Sequence, residues 1–381
     1  QWLEQKKAIY ADRQFFNFNR RLLMVPEHTW GMDEKTFLGD HENYDAEKFK
    51  AARGLPNFKK FESSWIEKRT YIQNAVNALE DSPLADEARD RLEAIRPRVP
   101  DLSTWQKTTR EQILLVTRGL EARIDPSNAG LFSLTDRRNQ HNWADESHPL
   151  GALTYQTFSA ADYDRFFHQY IINAEFNGDW PKEDFCKPGL ELANPPSTIY
   201  KPYTRECYRR QLDDSSEFLF HVCFDRDCVA KYGAPRDVYL TYSFPADAVS
   251  FSIDLQWFNK PACRMPEALW FAFVPVLPPG AEWKIEKMGK EISPLSVVEN
   301  GNRHLHAVGQ SVKLYHHGGI LKISPLDSPL VAPGVPSPLD FNNRQPDLKN
   351  GMHFCLLNNL WGTNFPMWFE EDCRFRFNIE L

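Results

Sequence analysis

One short segment near the amino terminus concentrates side chains able to do chemistry: Pro26-Glu27-His28-Thr29-Trp30-Gly31-Met32-Asp33. An imidazole at His28 can shuttle protons or bind a metal, and Glu27 or Asp33 can serve as acid or base. Trp30 offers an apolar plate on which a sugar ring can lie. The same residues admit a structural reading, in which a carboxylate caps a helix, His28 hydrogen-bonds within a turn and Trp30 joins a core.

A second polar and aromatic cluster lies near the other end, in Asn358-Asn359-Leu360-Trp361-Gly362-Thr363-Asn364-Phe365-Pro366-Met367-Trp368. Amides and hydroxyls beside two indoles suit a polyhydroxylated ligand, which needs both donors and acceptors. Trp361, Asn364 and Trp368 are its candidate contacts. Alternatively the amides satisfy local backbone and the tryptophans pack between sheets. Asp254, Trp257, Lys260, Arg264 and Glu267 share one stretch, and a carboxylate pair there could do acid-base work on a glycoside. Asp254 falls on the polar side of an alternating strand, however, so the expectation is a surface ion-pair network. His304 and His306 fall on one side of a strand, and His316-His317 precede Gly318-Gly319. With no third ligand apparent, exposed histidines beside a hairpin turn are expected there. Phosphate-binding glycine loops, Gly-x-Ser-x-Gly and HExxH do not occur, which leaves dinucleotide, P-loop, α/β-hydrolase and zincin chemistry without their minimum signal.

The elements that must position these groups change character along the chain. Residues 1–120 contain nine Pro plus Gly, and the remaining 261 contain 36. A helix is predicted over 2–23, ended by Pro26, and a short one over 45–53 capped by Asp45. A longer helix is predicted from Ser63–Ser64, where Glu67 completes a capping box. Trp65, Ile72, Val76 and Leu79 share its apolar face, and Leu84, Ala88, Leu92 and Ile95 repeat the pattern. Trp105 to Val116 reads as a helix whose last four residues could equally open a strand. Beyond 120, period two takes over. Val249, Phe251, Ile253, Leu255 and Trp257 alternate with polar residues, as do segments from 218, 238 and 375, which indicates half-buried antiparallel strands. Asn300-Gly301 and Gly318-Gly319 suit hairpin turns, and 325–340 reads as an extended loop. The predicted fold is multi-domain, α then β. A helical bundle over 1–118 carries the loop at 26–33, and an antiparallel β-sandwich follows over 119–381 with a helical insertion near 160–172.

The net charge is −7 and no basic tract occurs, which argues against a nucleic-acid partner. No apolar run approaches the roughly 20 residues that cross a bilayer, so no membrane partner is expected. The seven cysteines include no CxxC, and Cys223 and Cys228 are expected as buried thiols rather than a local disulfide. The absence of an Asn-x-Ser/Thr sequon leans towards a cytoplasmic setting. The first residue is Gln1 rather than Met, consistent with a trimmed terminus or a piece of something longer.

Pro26–Asp33, Ser64-Trp65-Ile66-Glu67-Lys68-Arg69, Pro149 to Phe158 and Trp361 to Pro366 together resemble a family of glycosidase-like proteins related to the family-38 glycoside hydrolases, the class II α-mannosidases. The resemblance spans most of the chain. It implies a β/α barrel ahead of the helices and sandwich, and a carbohydrate substrate. It also implies a divalent metal, zinc, shared with that barrel and completed by His28. Glu27 and Thr29 stand where the family carries His and Asp, which directs attention to Glu27 or Asp33 as groups meeting the substrate directly. On this reading the chain is the carboxyl-terminal portion of a glycoside hydrolase whose nucleophile lies on the barrel segment. The alternatives are a non-catalytic carbohydrate-binding or scaffolding module, and a polysaccharide lyase.

Overall fold

A computed structural model describes residues 2–9, 11–27, 30–108, 113–317 and 319–381. Among them the chain forms α1 (Arg13–Leu22), α2 (Met24–Glu27), α3 (Glu34–Phe37), α4 (Ala46–Ala52), α5 (Pro56–Asn77), α6 (Pro83–Ala94), α7 (Ala160–Tyr170), α8 (Trp180–Phe185) and α9 (Arg226–Tyr232). The rest is mostly antiparallel sheet.

Local chemistry sets the helix starts, and several differ from expectation. The predicted 2–23 helix begins only at α1, because the Asp12 carboxylate accepts from the backbone N–H of Gln14 and Phe15 at 2.8 and 3.2 Å. Pro26 sits inside α2 rather than stopping a helix. In a four-residue helix its missing N–H has no intrahelical partner to lose. Ser63–Ser64 lies about two turns inside α5, not at its start, since Pro56 at the first helical turn opens the helix. Phe58 and Phe61 extend the apolar stripe of Trp65 upstream, and the Ser64 hydroxyl donates to the Phe61 carbonyl at 2.6 Å. Asp45 and Ser82 cap α4 and α6, and a Ser159–Asp162 capping box opens α7. The ambiguous 105–116 segment is extended where described, with strands Gln106–Lys107 and Ile113–Val116.

The first sheet runs, in spatial order, Gln106–Lys107, Tyr203–Gln211, Ser215–Cys223, Asp237–Pro245, Ser250–Phe258, Cys373–Glu380, Gly319–Pro325, Val312–His316, Glu282–Lys287, Lys290–Ile292. The second runs His306–Ala307, Leu330–Pro333, Met352–Asn358, Glu267–Phe273, Leu150–Thr157, Leu131–Asp136, Leu120–Ile124, Ile113–Val116, with His141–Asn142 and Thr198–Tyr200 paired alongside. Their inner faces share one apolar core, including Phe220, Tyr242, Leu255 and Phe377 from the first and Leu153, Tyr155, Phe271 and Phe354 from the second. This is the predicted alternation at work: Ser250–Phe258 places Phe251, Ile253, Leu255 and Trp257 inward and Asp254 outward beside Arg374. The predicted loop 325–340 contributes a strand, Leu330–Pro333. Asn300-Gly301 turns within a connection rather than between paired strands. His316 pairs with Gly319 across a hairpin whose Gly318 lies outside the described residues.

The amino-terminal helices divide between two apolar clusters instead of sharing one bundle core. Phe15, Val76, Leu79, Leu84 and Ala88 join α1, α6 and the end of α5. Phe49, Phe58, Phe61 and Trp65 join α4 and the start of α5 to Met367 and Trp368, which belong to the loop before the last strand. No helix among the described residues is long and apolar enough to cross a membrane. All seven cysteines are unpaired thiols, six of them buried.

Candidate functional site

The two clusters singled out in the sequence meet in space. Gly31 adopts φ +142°, and a Cβ there would stand 2.7 Å from the Trp65 indole nitrogen, so only glycine lets the loop lie against α5. The Met32 N–H donates to the Ser64 hydroxyl at 3.2 Å, the Asn364 amide donates to the Gly31 carbonyl at 3.4 Å, and the Glu34 N–H donates to the Thr363 carbonyl at 2.8 Å. A third segment closes the junction: the Gly362 N–H donates to the Asp184 carbonyl at 3.1 Å, and Lys35 forms an ion pair with the Asp184 carboxylate. A Cβ on Gly362 would stand 2.3 Å from the Glu183 carbonyl. Nothing in the sequence pointed to 183–187, a charged stretch without periodicity.

Of the candidate acid-base residues, Glu27 is exposed at the end of α2. Asp33 caps α3: its Oδ1 accepts from the Thr36 N–H at 3.0 Å and the Thr36 hydroxyl at 2.8 Å, and its Oδ2 lies 3.1 Å from the Lys35 ammonium. Partial burial alone would raise its pKa, but Thr36 and Lys35 outweigh that and hold the carboxyl below its ordinary value. Trp30 is half-buried. His28 and Thr29 lie outside the described residues.

Trp361 and Trp368 have different surroundings. Trp368 is only 3% exposed, 4.6 Å from the Trp65 ring, with its Nε1 donating to Glu62 at 2.8 Å. That leaves it no face for a ligand. Trp361 is half-buried with its ring 5.2 Å from Phe166, on the wall of a cleft of about 580 Å³. Tyr170, Phe185, Phe341 and Phe365 supply further aromatic surface there, and Asn300, Asn302, Thr363, Asp184 and Asp340 supply polar groups. Asp340 is held by Arg165 at 2.8 Å. Aromatic faces with convergent amides and carboxylates are what a sugar requires, apolar on its ring faces and polar at its edges.

Beneath the junction lies a buried charge cluster, and here the expectation of a surface network is corrected. Lys260 and Glu267 are fully buried and 2.8 Å apart. Arg264, 1% exposed, pairs with Asp40, lies 3.6 Å from Glu34 and rests on the Tyr44 ring at 4.5 Å. Burial drives the Glu34 carboxyl up to about 7 despite the attraction of Arg264 and Lys187. It drives the Lys187 ammonium down to about 8, aided by Arg264. A signal for this was present: Glu267 opens Glu267-Ala268-Leu269-Trp270-Phe271-Ala272-Phe273, six apolar residues with no alternation, the mark of a strand buried on both faces. A charge at its start follows it inside. The histidine expectation also changes. His306 is buried, and burial with the neighbouring Lys287 lowers it to about 4. His316 packs against His141 and Trp143, with ring centroids at 4.2 and 4.9 Å.

The described part of loop 26–33 does not fit a metal on its own. Both Asp33 oxygens are engaged, one of them facing an ammonium, and among the described residues neither Glu27 nor Asp33 belongs to a group of three converging ligands.

A family model described as a domain of unknown function (DUF5054) matches residues 1–251. No curated protein matches the sequence. Among solved structures the chain is similar to an alpha-mannosidase from Enterococcus faecalis, with a TM-score of 0.44 and 8% identity over 70% of this chain and 29% of that one. It is similar to a protein in the glycosyl hydrolase family 38 from the same organism, with a TM-score of 0.47 and 7% identity over 97% of this chain and 56% of that one. A galactose mutarotase-like protein from Lactobacillus casei aligns with a TM-score of 0.38 and 11% identity over 71% and 99%. The chain thus spans less than a third of the first of these and just over half of the second.

Proposed function

We propose that this chain, which belongs to the DUF5054 family, is the carboxyl-terminal portion of a glycoside hydrolase, binding an oligosaccharide and bordering the cavity in which its glycosidic bond is cut. The observation that carries the proposal is the aromatic, amide-rimmed cleft at Trp361, joined through Thr363 to the loop that follows Glu27. The motifs shared with α-mannosidase-like proteins point to the same chemistry.

Glycoside hydrolysis needs two carboxyl groups flanking the scissile bond. Glu27, exposed and adjoining the loop, is the one this chain contributes as acid or base. Asp33 acts as a positioning residue, fixing the loop through α3 and Lys35. Trp361 and Trp30 are the sugar platforms, and Asn364 ties the two loops together. The nucleophile comes from the barrel segment that the resemblance places ahead of these helices.

Turnover of oligosaccharides and aryl glycosides by the intact enzyme, together with sugar titration of the chain by tryptophan fluorescence, tests this. Glu27→Gln should lower kcat by about 10²–10⁴-fold, while Trp361→Ala weakens binding and leaves the fold intact. Unchanged turnover in Glu27→Gln would remove the catalytic role. Because the cleft is built from this chain alone, saturable binding without turnover by the intact enzyme would instead favour a non-catalytic carbohydrate-binding module.

A further inference from the structure

The outer face of the first sheet carries a group of donors remote in sequence from the cleft. His221 and Cys223 stand two residues apart on strand Ser215–Cys223 and project to one side, away from the core that Phe220 and Val222 face. Asp237 opens the neighbouring strand, in which Val238 pairs with Val222 and Tyr239 with His221, so its carboxylate falls beside both. One donor atom from each lies within 4.8 Å of the other two. Nε2 of His221 is 3.0 Å from Oδ1 of Asp237 and 3.7 Å from Sγ of Cys223.

That convergence poses a problem for protons. A single ring nitrogen serves one neighbour: as N–H it donates once, and as a lone pair it accepts once. A cation at the common point satisfies all three atoms together, and the Arg205 side chain, which also hydrogen-bonds the Cys223 sulfur, favours its thiolate form. Ligands around a tetrahedral zinc-like ion stand roughly 3.3–3.6 Å apart, given metal–ligand distances near 2.0–2.3 Å. The two separations from Nε2 of His221, 3.0 and 3.7 Å, need adjust by only a few tenths of an ångström, and the Cys223 sulfur and Asp237 carboxylate, within 4.8 Å of each other, close onto the ion by side-chain rotation. Neighbouring side chains fix the orientation of the donors. The Tyr239 ring stacks on His221 at 4.7 Å with an interplanar angle of 15°, and the Asn259 amide donates to Oδ2 of Asp237 at 3.2 Å, leaving Oδ1 turned inward. His221 and Cys223 are buried, whereas the Asp237 side chain keeps 22% exposure, an opening for solvent. Glu206, across from His221, is held by Lys107 and Tyr208, each at 2.8 Å.

We propose that His221, Cys223 and Asp237 bind a divalent transition-metal ion of the zinc class, with a solvent molecule as the fourth ligand. A mixed sulfur, nitrogen and oxygen set selects such ions over magnesium or calcium, which prefer oxygen alone. The thiolate and carboxylate together neutralise the ion's two charges. The site stands independently of the glycosidase reading.

The test uses protein without a polyhistidine tag, stripped by a chelator and titrated with Zn²⁺ against a chromophoric competitor. A parallel titration with Co²⁺ follows the thiolate-to-metal charge-transfer band in the near ultraviolet. One equivalent should bind through this site. Cys223→Ser, nearly isosteric, should abolish the band, and His221→Ala and Asp237→Asn should each weaken zinc binding. Asn259→Ala, which frees Oδ2 of Asp237 from its hydrogen bond, should cost about 10–100-fold in affinity. His28→Ala should leave this equivalent and its band in place, which separates it from a metal at the amino-terminal loop. Circular dichroism checks that each variant keeps its sheets. Absence of the cobalt band, or zinc affinity unchanged by both Cys223→Ser and Asp237→Asn, would overturn the assignment.

Discussion

Glu267 shows what a sealed ion pair demands of its neighbours. Its Oε1 accepts from Lys260, its Oε2 accepts from the Tyr155 hydroxyl at 2.6 Å, and its backbone N–H donates to Asn359 at 2.7 Å. Lys260 also donates to the carbonyls of Pro261 and Phe369 at 3.2 and 3.1 Å. Such a pair adds little net stability over an apolar filling, because desolvating both charges offsets their attraction; either charge alone is costly. Lys260→Met should therefore lower the unfolding free energy by about 3–5 kcal/mol, read from urea denaturation. The double substitution Lys260→Met with Glu267→Gln should regain much of that. A single-mutant loss below about 1 kcal/mol would mean that the orphaned carboxylate finds solvent or another partner.

Where elements meet, the same physics becomes pH-dependent. Glu34 begins α3, Lys187 follows α8, and Arg264 lies between two strands, so the cluster ties the helical segment to both sheets. Glu34 shifts from 4.5 to about 7 in the folded state. Between those values the native protein holds more protons than the unfolded chain, so stability falls as pH rises across that window. Lys187 shifts from 10.5 to about 8, and there the unfolded chain holds more protons, so stability rises with pH. Urea midpoints should dip near neutrality, with Glu34→Gln flattening the acid limb and Lys187→Met the alkaline one; parallel profiles in wild type and both variants would contradict this. The sequence conveyed part of this architecture. Alternation in 249–257 and the helix near 160–172 rest on local signals that tertiary contacts reinforce, and both are legible in the sequence. The start of α5 lies upstream of the cap-like serines because the apolar stripe they sit in already begins at Phe58. Meeting of the 26–33 and 361–368 loops was not legible, since a contact across more than 300 residues leaves no periodic trace. Glu34 and Lys187 look like surface charges until the fold encloses them.

At the scale of the molecule, α5 bridges two bodies of packing. At about 1.5 Å per residue its 22 residues span roughly 33 Å. Its first half buries Phe58, Phe61 and Trp65 against Trp368 of the sandwich loop, and its second half buries Ala75 and Val76, with Val76 packing against α1 and α6. The two ends should therefore differ in local stability, because the first inherits the resistance of the sheets while the buried contacts of the second are with helices, the ties of these helices to the sandwich being polar ones such as Arg69–Glu371 and Arg374 to the Ala94 carbonyl. Amides within 13–22 and 83–94 should exchange with deuterium before those within 58–65. Trp368→Ala removes the indole shared by Phe49, Phe58, Phe61 and Trp65, together with its hydrogen bond to Glu62. It should cost about 3–5 kcal/mol and bring exchange at 58–65 up to that of the outer helices, leaving 83–94 unchanged. Acceleration confined to 13–22 and 83–94 would instead place the bond between helices and sheets at the Arg264 cluster, and would predict that Arg264→Leu frees α3 and α4 first.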